Sequence, residues 1–162
     1  MLNYTDSIQL FDFLQIKNLA IVPILLGLEL GLAYAAFASA MLHTPVLRNE
    51  SLKQREMLLQ LRMSLPDMLF LSLCAGIGEE LLFRSGLQYY LGPELTALIF
   101  VALHGYYHPL NWKKSLYGIL VTPFIFLLAY GFDYFGLWFC IAAHFAYDFL
   151  LFILYGKRKK FS

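Results

Sequence analysis

Apolar residues in this chain come in long runs separated by short charged stretches, and the runs set the first reading. Five stretches, at about 19–42, 67–91, 94–107, 116–134 and 136–155, read as apolar helices. A bilayer core takes about 20 apolar residues at about 1.5 Å of rise each, a length that all but the third meet. The third is short and follows Gly92-Pro93, a pair suited to a tight helix-to-helix turn. The pattern predicts an all-α, polytopic membrane bundle of about five spans in a single domain covering 1–162. The parts are an interfacial segment (1–18), a first span (19–42), a basic cytoplasmic segment (43–66), a four-helix core (67–155) and a basic tail (156–162).

Composition agrees with the runs. Of 162 residues 60% are hydrophobic, 17% aromatic and 14% charged, with mean hydropathy +0.63. Soluble domains are nearer half apolar and a quarter charged. A net charge of +1 gives no reason to expect a nucleic-acid partner. The polar opening stretch has no basic run ahead of a short apolar core, so the first hydrophobic helix is expected to be retained as an anchor. Ile8 to Leu14 mixes apolar and polar positions in the manner of a helix lying at the interface.

Charge placement predicts orientation. Arg48, Lys53, Arg55 and Arg62 follow the first span, Lys113 and Lys114 the third, and Lys157, Arg158, Lys159 and Lys160 the fifth. With five spans these clusters share one side, opposite Asp6, Asp12, Glu94 and Asp133. The positive-inside rule then places the N-terminus outside and the C-terminus in the cytoplasm. Gly27, Gly31 and Ala35 form a small-residue ridge that reads as an internal packing face. Cys74 and Cys140 read as small buried hydrophobes, and Glu29 as a buried polar contact. The region from Arg48 to Arg62 reads as an amphipathic helix at the cytoplasmic surface.

Ionisable side chains inside spans carry a desolvation cost and need partners or a function. The second span holds Glu79, Glu80 and Arg84. Glu80 and Arg84 are four residues apart, about 40° around the axis, and can pair; Glu79 points about 100° away. One carboxylate is thus braced by arginine while the other is left to face another surface, as a general base requires. His104 lies within the third run, and His144 and Asp148 share a face of the fifth. Counted from the cytoplasmic ends, Glu79 and His144 lie about 18 and 17 Å deep, Asp148 and His104 about 11 and 10 Å. These depths allow one shared wet cavity. His104 and His108 are also four apart, so a zinc site drawing on Glu79, His144 and Asp148 stays open as an alternative.

Three motifs stand in order on successive helices: Glu79-Glu80-x-x-x-Arg84, Phe100-x-x-x-His104 and His144-x-x-x-Asp148. The set resembles the CAAX prenyl protease and bacteriocin-processing (Abi) family of glutamic intramembrane endopeptidases, relatives of the Ras-converting enzyme. The resemblance covers about 67–155. It implies a compact prokaryotic member in a bacterial or archaeal plasma (inner) membrane, with no cofactor and no metal, acting on a membrane-anchored protein or peptide such as a C-terminal sorting tail. It implies that Glu79 activates water with His104, that His144 and residue 148 stabilise the oxyanion, and that Glu80 and Arg84 brace the site. Two positions depart from the family pattern. Residue 148 is often asparagine, an oxyanion donor that ionised Asp148 is not, and Ser85 stands where glycine is usual. A zinc-dependent protease using the same side chains and a non-catalytic immunity or adaptor protein are the alternatives. The lipid bilayer is the other expected partner, and the oligomeric state is left open.

Overall fold

The computed structural model describes residues 14–15 and 19–156, which are helical with short connections and contain no strand. The expected interfacial segment at 1–18 (apart from 14–15) and the basic tail Lys157 to Lys160 lie outside the described residues. The elements are α1 (Ile21–Leu42), α2 (Arg48–Gln60), α3 (Leu65–Glu80), a π-helical segment (Leu81–Leu87), α4 (Gln88–Leu103), α5 (Trp112–Phe135) and α6 (Leu137–Gly156). The chain is an all-helical membrane bundle. By length and hydropathy α1, α5 and α6 can each cross a bilayer alone. The helical stretch Leu65–Leu103, taken together with α2 across a bend of 111°, makes a fourth candidate.

Local chemistry sets the boundaries. Ser64 and Asp67 form a capping box with Pro66 in the first turn, satisfying the opening amides of α3. Asn111 caps α5 by accepting from the Lys114 amide at 3.2 Å. Within α4, Gly92 adopts φ 76°, ψ 166°, which a residue with a Cβ rarely accepts, and breaks the helix. The arm beyond this break returns toward the π segment, so that the rings of Phe83 and Phe100 meet at 4.7 Å. Gly92-Pro93 is therefore the turn expected from the sequence. The helix after it ends at Leu103, shorter than the expected 94–107. His104 is its C-cap, and Tyr106 and Tyr107 lie beyond it.

α6 is the central element and packs on α1, α2, α3 and α5. Its contact with α1 is close because of glycine. A Cβ on Gly31 would overlap the carbonyl oxygen of Ala143, and one on Gly27 the carbonyl oxygen of Phe139. With Ala35 fully buried, the ridge is the internal packing face expected of it. Two sequence expectations fail at the surface. Cys74 is exposed on α3, whereas Cys140 is buried. Glu29 is exposed on α1 rather than buried, because helical phase turns it away from the face that Gly27 and Gly31 press on α6.

Candidate active site

Glu79 and Glu80 end α3 side by side, and the chain passes directly into the π segment. Single π turns inside helices recur at functional sites because they re-aim the side chains around them. Glu80 is fully buried. Arg84 Nε donates to its Oε2 at 2.9 Å, and His144 Nδ1 lies 2.7 Å from its Oε1. Both carboxylate oxygens are thus engaged. The arginine pairing follows from four-residue spacing, but the histidine comes from α6 and was not anticipated. Arg84 is buried too, with its guanidinium 5.7 Å from the centre of the Phe100 ring.

Glu79 points elsewhere. Its side chain is 33% exposed, its Oε2 lies 3.3 Å from His104 Nε2 and 3.9 Å from His144 Nε2, and that oxygen has no hydrogen-bond partner among the described residues. His104 is held on three sides. Its Nδ1 lies 2.8 Å from the Phe100 carbonyl oxygen. Its ring stacks between Phe100 (4.3 Å, 18°) and Tyr106 (5.8 Å, 13°). A carbonyl only accepts, so Nδ1 carries the hydrogen, and in the neutral ring Nε2 presents its lone pair. Two acceptors, Nε2 and the Glu79 oxygen, then face one another, an arrangement that takes a donor with two hydrogens.

The same reasoning applies to His144. Its Nδ1 donates to Glu80, leaving Nε2 toward Glu79 and toward Asp148 Oδ2 at 3.6 Å. Nε2 donates to anything in that space only when both nitrogens carry hydrogen. Asp148 is a quarter exposed and sits one turn beyond His144 on the same face, as predicted. The six residues singled out from the sequence, Glu79, Glu80, Arg84, His104, His144 and Asp148, thus form one connected group. His108 does not join it. The helix has already ended, so His104 and His108 are not on one helical face as the spacing had implied, and His108 is exposed. Among the described residues no group of three His, Cys, Asp or Glu side chains is arranged to hold a metal ion.

A cavity of about 640 Å3 reaches His104 and Asp148. Glu79 and His144 stand just behind those two, within 3.3 and 3.6 Å of them respectively. Its walls are Leu42, Leu58, Leu151 and Phe152 with Tyr106 and Tyr147, and its rim carries Lys53, Asn111 and Lys114. One wall is α2, an element the sequence reading had not given to the site. Glu50 on α2 accepts from Asn111 at 3.3 Å and from Lys53 at 3.0 Å. The Lys53 contact, followed by Asn111, holds the Glu50 carboxyl below its ordinary value. Tyr106 is the other residue the sequence reading missed. The only available signal was its place two residues after a motif histidine, which says nothing of stacking until the chain turns at Gly105.

Residues 61–150 match the family model described as Type II CAAX prenyl endopeptidase Rce1-like. The chain is also similar to "Uncharacterized protein YpbD" of Bacillus subtilis (strain 168), with 40% identity over 86 residues. That alignment covers 52% of this chain and 43% of the relative, so the chain spans less than half of the relative's length. No solved structure matches the chain. The matched stretch contains Glu79, Glu80, Arg84, His104, His144 and Asp148, which the fold links into one connected group beside the cavity, and over that stretch the chain belongs to the Type II CAAX prenyl endopeptidase Rce1-like family, a family of membrane proteases.

Proposed function

We propose that the chain is a glutamic intramembrane endopeptidase that hydrolyses a peptide bond in a membrane-anchored protein or peptide. The observation that carries this reading is the unpartnered Glu79 oxygen 3.3 Å from His104 Nε2, beside a cavity of about 640 Å3. A water lying across these two acceptors donates one O–H to each, which leaves its lone pairs free and aims one of them into the cavity. Glu79 takes a proton as the water oxygen attacks the carbonyl carbon, then returns it to the departing amine. His104 holds the water and stays in register because Phe100 and Tyr106 stack on its ring.

The oxyanion forms on the other side of the carbonyl, where His144 Nε2 is the available donor once its ring carries both hydrogens. Glu80 stands behind it at 2.7 Å and balances that charge, and Arg84 balances Glu80. Asp148, 3.6 Å from Nε2, competes with the oxyanion for the same hydrogen when ionised and donates a second one when protonated. Glu80 and Arg84 are positioning residues, since both are sealed from solvent and paired with each other, and reach the cavity only through His144.

In this reading the chain has five spans, with α3 and the arm of α4 beyond Gly92 as the second and third. The basic residues of α2 and of the start of α5 lie on the cytoplasmic side, where the cavity opens. The membrane is a bacterial or archaeal plasma membrane and the substrate a membrane-anchored segment, a C-terminal sorting tail among the candidates. The test compares wild type and Glu79→Gln on membrane-anchored peptides, with and without chelator. Cleavage by wild type in chelator and none by Glu79→Gln is the expected result. Undiminished cleavage by Glu79→Gln defeats the glutamic mechanism, and loss on chelation restored by zinc replaces it with a metalloprotease.

A further inference from the structure

Glu29 is an ionisable side chain in the wrong place for a lone protein. It is exposed on α1, a helix long and apolar enough to span a bilayer with only 22% of its apolar window buried in the fold. It lies eight residues from Ile21 and thirteen from Leu42, about 12 Å and about 20 Å from the two helix ends. That depth is hydrocarbon. Intramembrane carboxyl groups face protein or water, because lipid offers them neither a hydrogen bond nor a counter-charge. Glu29 points about 160° away from Gly27 and Gly31, so the packing that seats α1 on α6 turns this carboxyl outward.

The surroundings of Glu29 are shaped for another helix. Ala33, Ala36 and Ala40 are exposed and fall within about 40° of it around the axis, so a second backbone can come close along this stripe. Leu25, Leu32 and Phe37 are exposed beside the stripe and form its apolar shoulders.

We propose that a second copy of this chain covers the face, through a parallel α1–α1 contact in which the two Glu29 carboxyls hydrogen-bond to each other. Every copy inserts with the same orientation, so a twofold axis along the membrane normal brings α1 against α1 in parallel and Glu29 to the depth of its own mate. Two carboxyl groups sharing one or two protons are self-complementary and need no cation. In the three helices that can each span alone, α1, α5 and α6, the basic side chains are Lys113 and Lys114 at the start of α5, far from the depth of Glu29, and Arg84 beyond α3 is buried against Glu80, so none is placed to favour an unlike contact.

The test uses the full chain in phosphatidylcholine vesicles, with the exposed thiol removed by Cys74→Ser. Energy transfer between labelled copies, followed as lipid is added, gives the dimer affinity. Oxidation of Ala36→Cys in the same background reports the interface. The expected results are disulfide-linked dimers through residue 36, an affinity about tenfold weaker in Glu29→Leu, and little change in Glu29→Gln, whose amide keeps donor and acceptor. The proposal is overturned by transfer no greater than random dilution predicts, by equal affinity in Glu29→Leu, or by equally efficient cross-linking at Phe70→Cys on the exposed face of α3. A lowered melting temperature of Glu29→Leu in its dilute, monomeric form assigns Glu29 to intrachain packing and also overturns it. None of these readouts depends on proteolysis.

Discussion

Glu79 and Glu80 are neighbours in sequence and opposites in environment. Glu80 is sealed from solvent with both oxygens engaged, by Arg84 at 2.9 Å and His144 at 2.7 Å. Glu79 is one-third exposed, beside a cavity, with an oxygen that nothing in the described chain satisfies. One helical step of about 100° produces this contrast. A saturated buried carboxylate is structural, since any change leaves a charge stranded. An unsaturated carboxylate next to a cavity is available to a substrate or a water. His144 ties the two environments together, with Nδ1 hydrogen-bonded to Glu80 and Nε2 facing Glu79 from 3.9 Å.

The contrast can be broken from either side. Arg84→Ala strands Glu80 and its expected cost is the largest, about 3–5 kcal/mol of stability with activity lost alongside, read by thermal unfolding in detergent. Glu79→Gln breaks the other side. Cleavage falls at least about 100-fold, toward 10000-fold, while the melting temperature stays put, because the amide replaces a group whose reactive oxygen makes no hydrogen bond. A comparable loss of stability in Glu79→Gln would erase the distinction between the two carboxylates.

His144→Gln sharpens the comparison because it touches both sides. It is expected to cost about 1–3 kcal/mol through the lost Glu80 contact and also to slow cleavage. Tyr106 separates stacking from hydroxyl chemistry: Tyr106→Ala lowers kcat about three- to tenfold with KM little changed, and Tyr106→Phe is silent. The smallest effect is at the cavity rim. Lys53→Ala changes stability by no more than about 0.5 kcal/mol, because the side chain is 65% exposed. A melting shift near that of Arg84→Ala would show that α2 is held far more tightly than its surface contacts imply.

Much of this was legible in the chain. Apolar runs gave the helices, Gly92-Pro93 the turn, the Gly27–Gly31–Ala35 spacing its packing role and the Glu80–Arg84 spacing its pair. Failures occurred where a side chain's direction depended on another element. Glu29 and Cys74 face outward although both sit in apolar runs. The helix bearing His104 stops at Leu103, which removes His108 from the site. The Tyr106 stack on His104 and the α2 wall of the cavity had no local signal.

The sequence by itself determined which residues are costly in a membrane and on which helical face each lies, because apolar length and a 100° step are local properties. Only the tertiary structure decided what those faces meet. His144 closing on Glu80, Glu79 left open beside His104, and Glu29 turned away from α6 all follow from how separate helices pack. Helices distant in sequence settle by close contact at positions such as Gly27 and Gly31, where the absence of a side chain allows approach and so fixes where every other side chain points.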